Sequence, residues 1–144
     1  YTVPMFRSLF ELQNIPHYHG DTVRQLFVAA AIVICVMMPV LGQPIPLGVE
    51  ENIGLAVLLI MLAGLTNPKG PILMALNAIL SGFAAFLIEA AAISYYDTDT
   101  MSLFIFREIL ALLLFFAFYS SVKTLREMLM DNVGKYGRVA DEKK

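Results

Sequence analysis

The feature that most constrains this chain is a series of long apolar blocks separated by short polar turns. Two of the clearest blocks run from Leu26 to Leu41 and from Leu103 to Ser121. A helix needs roughly 20 mostly apolar residues to cross about 30 Å of hydrocarbon. We therefore predict an all-α, polytopic membrane protein, folded as a single membrane domain over residues 1–144.

Composition supports this prediction and excludes several classes of protein. Hydrophobic residues make up 58% of the chain and charged residues 15%, whereas about half and about a quarter are usual in soluble domains. Together with the single cysteine, these values exclude a soluble enzyme, a disordered tail and a disulfide-stapled secreted module. The net charge of −2 leaves no basic surface, so no nucleic-acid partner is expected.

Four segments are predicted to span the bilayer as two helical hairpins. They are residues 25–42, 52–66, 71–94 and 101–121. The second is short enough to be a re-entrant segment instead of a span. A span is favoured because its flanking charges, Glu51 and Lys69, are 18 residues apart, or about 27 Å along a helix, and both can reach the headgroups.

The positions of lysine and arginine predict the orientation. Outside the predicted spans they fall in residues 1–24, in the 67–70 turn and in the tail at 122–144. The loops at 43–52 and 95–100 carry only acidic charges. The positive-inside rule then places the N- and C-termini in the cytoplasm, and we expect the inner (plasma) membrane of a bacterium.

Both ends of the chain are predicted to lie outside the bilayer core. Residues 1–23 form an interfacial N-terminal segment, because apolar side chains gather on one side of a short amphipathic helix at 5–13; packing of that helix under the bundle is the alternative. The cytoplasmic tail at 122–144 begins as an extension of the last helix to about Met130. The chain begins at Tyr1 rather than at a methionine, so we expect a processed or truncated product.

Three ionisable residues fall inside the predicted spans, namely Glu89, Arg107 and Glu108. Such groups cost about 2.5 to 3.5 kcal/mol in hydrocarbon on insertion scales, so they persist where they face protein or water. Glu89 and Arg107 are each nine residues from residue 98 in the outer loop, so we predict an interhelical ion pair between them. Arginine stays protonated, so two acids and one arginine leave a surplus negative charge. The acid further from Arg107 is the candidate proton-binding group, and we expect this to be Glu108. The alternative is a cluster that only locks the two helices together.

A stripe of small residues shares a face of the third span with Glu89, and such stripes let membrane helices approach closely. Its members are Ala78, Gly82, Ala85 and Ala92. The polar residues Asn77 and Ser81 lie near the cytoplasmic end of the same span. We expect them to cross-link helices; lining a pore is the alternative.

No pattern in the chain indicates a cofactor, a metal or a catalytic centre. His17, His19 and Asp21 would share a face in an extended strand and could approach a metal, but a fourth ligand is missing. A solvated turn is the favoured interpretation. The chain contains neither a zinc-protease helix motif nor a nucleophile elbow, so we expect no enzymatic activity.

Two functions follow from these observations. The first is a small integral membrane protein that acts as a non-enzymatic subunit of a larger or homo-oligomeric membrane assembly, with the lipid bilayer and other membrane subunits as its partners. The second is a proton or cation channel or transporter that uses the cluster of Glu89, Arg107 and Glu108. An intramembrane enzyme is the least favoured.

Overall fold

The computed structural model describes residues 18–67 and 69–130. Within these ranges the chain forms four α-helices and no strand, which confirms the all-α prediction for this part. The helices are α1 (Gly20–Val40), α2 (Val49–Leu65), α3 (Pro71–Ser94) and α4 (Met101–Leu129). The amphipathic helix predicted at 5–13 and the tail beyond Met130 lie outside the described residues.

Three of the helices, α1, α3 and α4, are long and apolar enough to cross a membrane, as expected of an integral membrane protein. The remaining helix, α2, has 17 residues and carries Glu50 and Glu51 in its first turn. Its length of about 26 Å is slightly below the thickness of the hydrocarbon core. The fourth span and the two-hairpin arrangement therefore stay predictions.

Helix α1 begins five residues before the predicted start of the first span at residue 25. Asp21 lies in its first turn, where the helix dipole favours a negative charge. The helix ends just after Pro39, and Gly42 follows with a φ of 109°, a conformation that glycine adopts without a steric penalty. The backbone N–H groups of Leu41 and Gly42 both donate to the carbonyl of Met37, which closes the helix end.

Helix α4 begins where the hydroxyl of Thr100 accepts a hydrogen bond from the backbone N–H of Leu103. Such a cap satisfies one of the free N–H groups of the first turn. The helix then continues without a break to Leu129. The predicted helical extension beyond Ser121 is therefore present.

The helices pack unequally. α3 and α4 contact each other most extensively, α1 packs against both α2 and α4, and α2 barely touches α3. Small side chains allow the close approach of α3 and α4: a methyl group added at Gly82 would lie 2.9 Å from Cδ2 of Phe118. Ala78, Ala85 and Ala92 of the predicted stripe are buried.

Asn77 and Ser81 make hydrogen bonds inside the helical bundle. The Asn77 amide donates to the Thr66 hydroxyl at 2.9 Å, and that hydroxyl donates to the carbonyl of Leu62 at 2.7 Å. The Ser81 hydroxyl donates to the carbonyl of Asn77 at 2.6 Å. Asn77 thus links the end of α2 to α3, whereas the hydrogen bonds of the Ser81 hydroxyl stay within α3 and do not cross-link helices.

Candidate functional site

Arg107 is buried near the start of α4, with 3% of its surface exposed. Its Nε donates to the carbonyl of Pro44 at 2.8 Å, and its Nη2 donates to the carbonyl of Gln43 at 3.2 Å. Its Nη1 donates to the carboxylate of Asp99 in an ion pair. The guanidinium also lies 5.7 Å from the centre of the Tyr95 ring, within the range of a cation–π contact.

These contacts join the loop at 41–48 to the loop at 95–100. A planar guanidinium carries five donors in a fixed fork, so one arginine can hold two carbonyls and a carboxylate together. The predicted ion pair between Glu89 and Arg107 is therefore wrong, because Asp99 is the acid that neutralises Arg107. Equal spacing from the outer loop indicates a similar depth in the membrane for Glu89 and Arg107, but it does not determine which side of α4 faces Glu89.

Asn52 supports the same loop from α2, and sequence reasoning missed it. Its side chain is fully buried. The amide donates to the carbonyls of Ile45 at 2.9 Å and Gly48 at 2.7 Å, while its oxygen accepts from the backbone N–H of Ile45 at 3.1 Å. The sequence feature that could have indicated this role is the position of Asn52 at the start of an apolar segment, just after a loop that contains two prolines.

A groove of about 750 Å³ runs between α3 and α4, and we call it the α3/α4 groove. Small residues of the predicted stripe and phenylalanine rings form most of its walls. The lining residues are Ala78, Ile79, Gly82, Phe83, Ala85, Phe86, Glu89, Glu108, Ala111, Leu112, Phe115 and Phe118. Several of these side chains, including Ile79, Phe86 and Phe115, are exposed at the surface of the protein. The groove is therefore open on the side that faces away from the helical bundle.

Glu89 and Glu108 both line this groove and are partly exposed. One stands on α3 and the other on α4, on the two sides of the same groove. Neither carboxylate has an ion pair or a hydrogen bond from its side chain within residues 18–67 and 69–130. The structure thus brings together two members of the predicted cluster and places the third, Arg107, elsewhere.

The arrangement on α4 has a simple geometric cause. Arg107 and Glu108 are consecutive, and consecutive side chains on a helix point about 100° apart. The direction of Arg107 leads to the loop at 41–48, while that of Glu108 leads into the α3/α4 groove. The two charged side chains therefore face different parts of the protein, although they lie at a similar height along α4.

A second groove, between α1 and α2, differs in its electrostatics. It is lined at one end by Asp21 and Arg24, whose side chains lie 3.6 Å apart as an exposed ion pair. Asp21, the acidic residue of this second groove, therefore has Arg24 as its counter-ion. Among the grooves described here, the α3/α4 groove is the one whose acidic residues lack a counter-ion.

The described part of the chain contains no group of three or more His, Cys, Asp or Glu side chains that could hold a metal ion. Of the predicted alternative ligand set, His17 lies outside the described residues. Comparison with known proteins gives no relative: no family model, no curated protein and no solved structure matches this chain.

Proposed function

We propose that this integral membrane protein is a non-enzymatic subunit of a larger or homo-oligomeric membrane assembly, and that the α3/α4 groove is its contact face. The observation that carries the proposal is the pair of carboxylates, Glu89 and Glu108, in a groove that is open on the side facing away from the helical bundle. Charged groups at membrane depth persist only when protein or water surrounds them. A neighbouring subunit seated in the groove would provide that surrounding.

The walls of the groove support the same proposal. Ile79 on α3 and Leu112 on α4 line the groove and are exposed, so they offer apolar surface for van der Waals packing of a helix in lipid. The rings at the rim would add contact area on both sides of an incoming helix. A subunit that binds in this way needs no catalytic group of its own.

We further propose four spans, with both termini in the cytoplasm of a bacterium. The charge distribution supports this topology. So do two contacts of α4 at its opposite ends: Arg107 holds the loop at 41–48, and the Thr124 hydroxyl accepts from the backbone N–H of His19. These contacts make α1 and α4 antiparallel, as an even number of spans requires of the first and last.

The assembly proposal is tested by blocking the groove from its rim. Ile79 lines the groove and is 68% exposed, so Ile79→Trp fills the groove without disturbing the buried core. We expect the wild-type protein to leave native membranes in a complex heavier than one chain, and Ile79→Trp to lower the mass of that complex. Native mass spectrometry from a mild detergent measures both.

The matched control is Ile53→Trp, which introduces the same side chain on α2. Ile53 is 49% exposed and does not line either groove, so this variant should leave the mass of the complex unchanged. A wild-type protein that is always monomeric would contradict the proposal. Equal loss of mass in both variants would show that the effect is not specific to the groove.

A proton or cation channel or transporter is the second candidate, and the unpaired carboxylates favour it. Two nearby acids without a counter-ion can exchange protons or bind a cation. This function predicts that Glu89→Gln or Glu108→Gln abolishes ion flux into liposomes reconstituted with the native complex, while its assembly is retained. The control for both variants is Glu50→Gln, because Glu50 is an exposed acid in the first turn of α2. Flux that survives both groove variants would exclude the carboxylates as the ion pathway.

A further inference from the structure

We propose that the α3/α4 groove binds one transmembrane helix of a different polypeptide, and that this helix carries a lysine or arginine beside Glu89 and Glu108. This inference rests on the proposed function and specifies the chemistry of the partner. It depends on three properties of the groove: its two unpaired acids, the distance of the other charges of the chain, and its shape.

The two acids lie at a similar depth. Glu89 is five residues before the end of α3 at Ser94, and Glu108 is seven residues after the start of α4 at Met101. At 1.5 Å per residue, they lie about 7 and about 10 Å below the outer ends of their helices. One basic side chain placed two turns below the outer end of a neighbouring helix would therefore reach both carboxylates.

The described cations of the chain itself do not reach this depth. Arg107 points to the loops, where it is held by Asp99 and two loop carbonyls. Lys123 on α4 is 15 residues beyond Glu108, which is about 22 Å along the helix. Lys69 precedes α3 and is 20 residues before Glu89, about 30 Å away by the same rise.

The other two described cations lie at that same distant end. Arg126 follows Lys123 on α4, and Arg24 is paired with Asp21 near the start of α1, where His19 contacts Thr124. A second copy in the same orientation would bring its described cations to the same end. Charge complementarity thus favours a helix from another polypeptide over any of the helices α1 to α4 of a second copy.

The shape of the groove suits a helix. Along α3 it extends from Ala78 to Glu89, a distance of about 16 Å or three helical turns. Between them, the exposed side chains of Ile79, Phe83 and Phe86 line the groove and offer apolar packing surface along a helix. A helix laid there would place its basic residue at the carboxylate end and apolar side chains along the rest.

The test uses a synthetic single-span Leu/Ala peptide with one lysine two turns below its outer end. Its twin carries norleucine, an uncharged residue of similar length, at that position. The protein has no tryptophan and one cysteine, Cys35, which is exposed. A tryptophan in the peptide and an acceptor dye on Cys35 then report binding by energy transfer in lipid vesicles.

We expect the lysine peptide to bind at least about tenfold more tightly than its norleucine twin, because an opposite charge is buried beside two carboxylates. In the double variant Glu89→Gln/Glu108→Gln, the two peptides should bind alike. The comparison on the unaltered protein needs no substitution, so a folding defect of the variant cannot hide the result.

Equal binding of the two peptides to the unaltered protein would overturn the inference, as would a lysine preference that survives in the double variant. If both peptides bind equally and Ile79→Trp displaces both, the inference fails while the proposed docking face stands. If no peptide binds and the native protein is monomeric, both fail.

Other occupants of the groove give distinct results. Glutamate-dependent binding of tetraphenylphosphonium, without such binding of the lysine peptide, would overturn the inference and assign the groove to a small lipophilic cation. Glutamate-dependent energy transfer between two labelled copies, without any peptide, would overturn it in favour of a homo-oligomer.

Discussion

Replacement of Arg107 by glutamine is expected to lower the free energy of unfolding by about 3 to 5 kcal/mol. Breaking a buried ion pair leaves the remaining charge uncompensated, and this is the usual size of the loss. Here the substitution also removes the donors to the carbonyls of Gln43 and Pro44. Unfolding by SDS in mixed micelles, followed by circular dichroism, measures the change.

Two further variants define the origin of this effect. Arg107→Lys keeps the charge opposite Asp99 but loses the planar fork, so it should recover only part of the stability. Lys123→Gln removes the same charge from an exposed position on α4 and should change the free energy of unfolding by less than about 0.5 kcal/mol. A loss in Arg107→Gln no larger than in Lys123→Gln would contradict the role of Arg107 in joining the loops.

Replacement of Asn52 by leucine is expected to produce the second largest effect. The leucine is close in size but leaves the backbone N–H of Ile45 without its partner. The carbonyls of Ile45 and Gly48 lose the amide donor and keep one backbone N–H donor each, from Leu47 and from residue 52. A buried polar group left unsatisfied costs about 1 to 3 kcal/mol, so we expect a loss of about that size. The same SDS unfolding measurement applies.

Asn67→Leu is the matched control for this prediction. Asn67 is exposed and makes a local hydrogen bond, its oxygen accepting from the backbone N–H of Lys69. Surface substitutions of this kind usually change stability by less than about 0.5 kcal/mol. Similar losses for Asn52→Leu and Asn67→Leu would show that the buried amide does not hold the loop in place.

Most of the helix positions could be predicted from the sequence, because the length and hydropathy of a block depend only on contiguous residues. Block length and hydropathy predicted α3 with its observed bounds and the start of α4 at Met101. The extension of α4 past Ser121 was also predicted, since the helical pattern persists until glycine and asparagine interrupt it. The start of α1 was missed because its first turn is polar, with Asp21 and Arg24 among its residues.

The candidate site was predicted only in part. Glu89 and Glu108 were singled out because an acid in an apolar span is rare, and they do share the α3/α4 groove. Arg107 was assigned to the wrong acid, and Asn52 was not found. Both side chains hydrogen-bond to backbone groups of the loop at 41–48, and Arg107 also pairs with Asp99 of the loop at 95–100. Residue types alone do not reveal where a loop places its backbone groups.

The sequence by itself determined where the long apolar helices lie and which charges fall within them, because both depend on the length and polarity of contiguous segments. Only the tertiary structure decided which charge meets which partner. That choice depends on the rotation of each helix about its axis and on the course of the loops. A difference of one residue on α4 sends Arg107 to Asp99 and Glu108 into the groove.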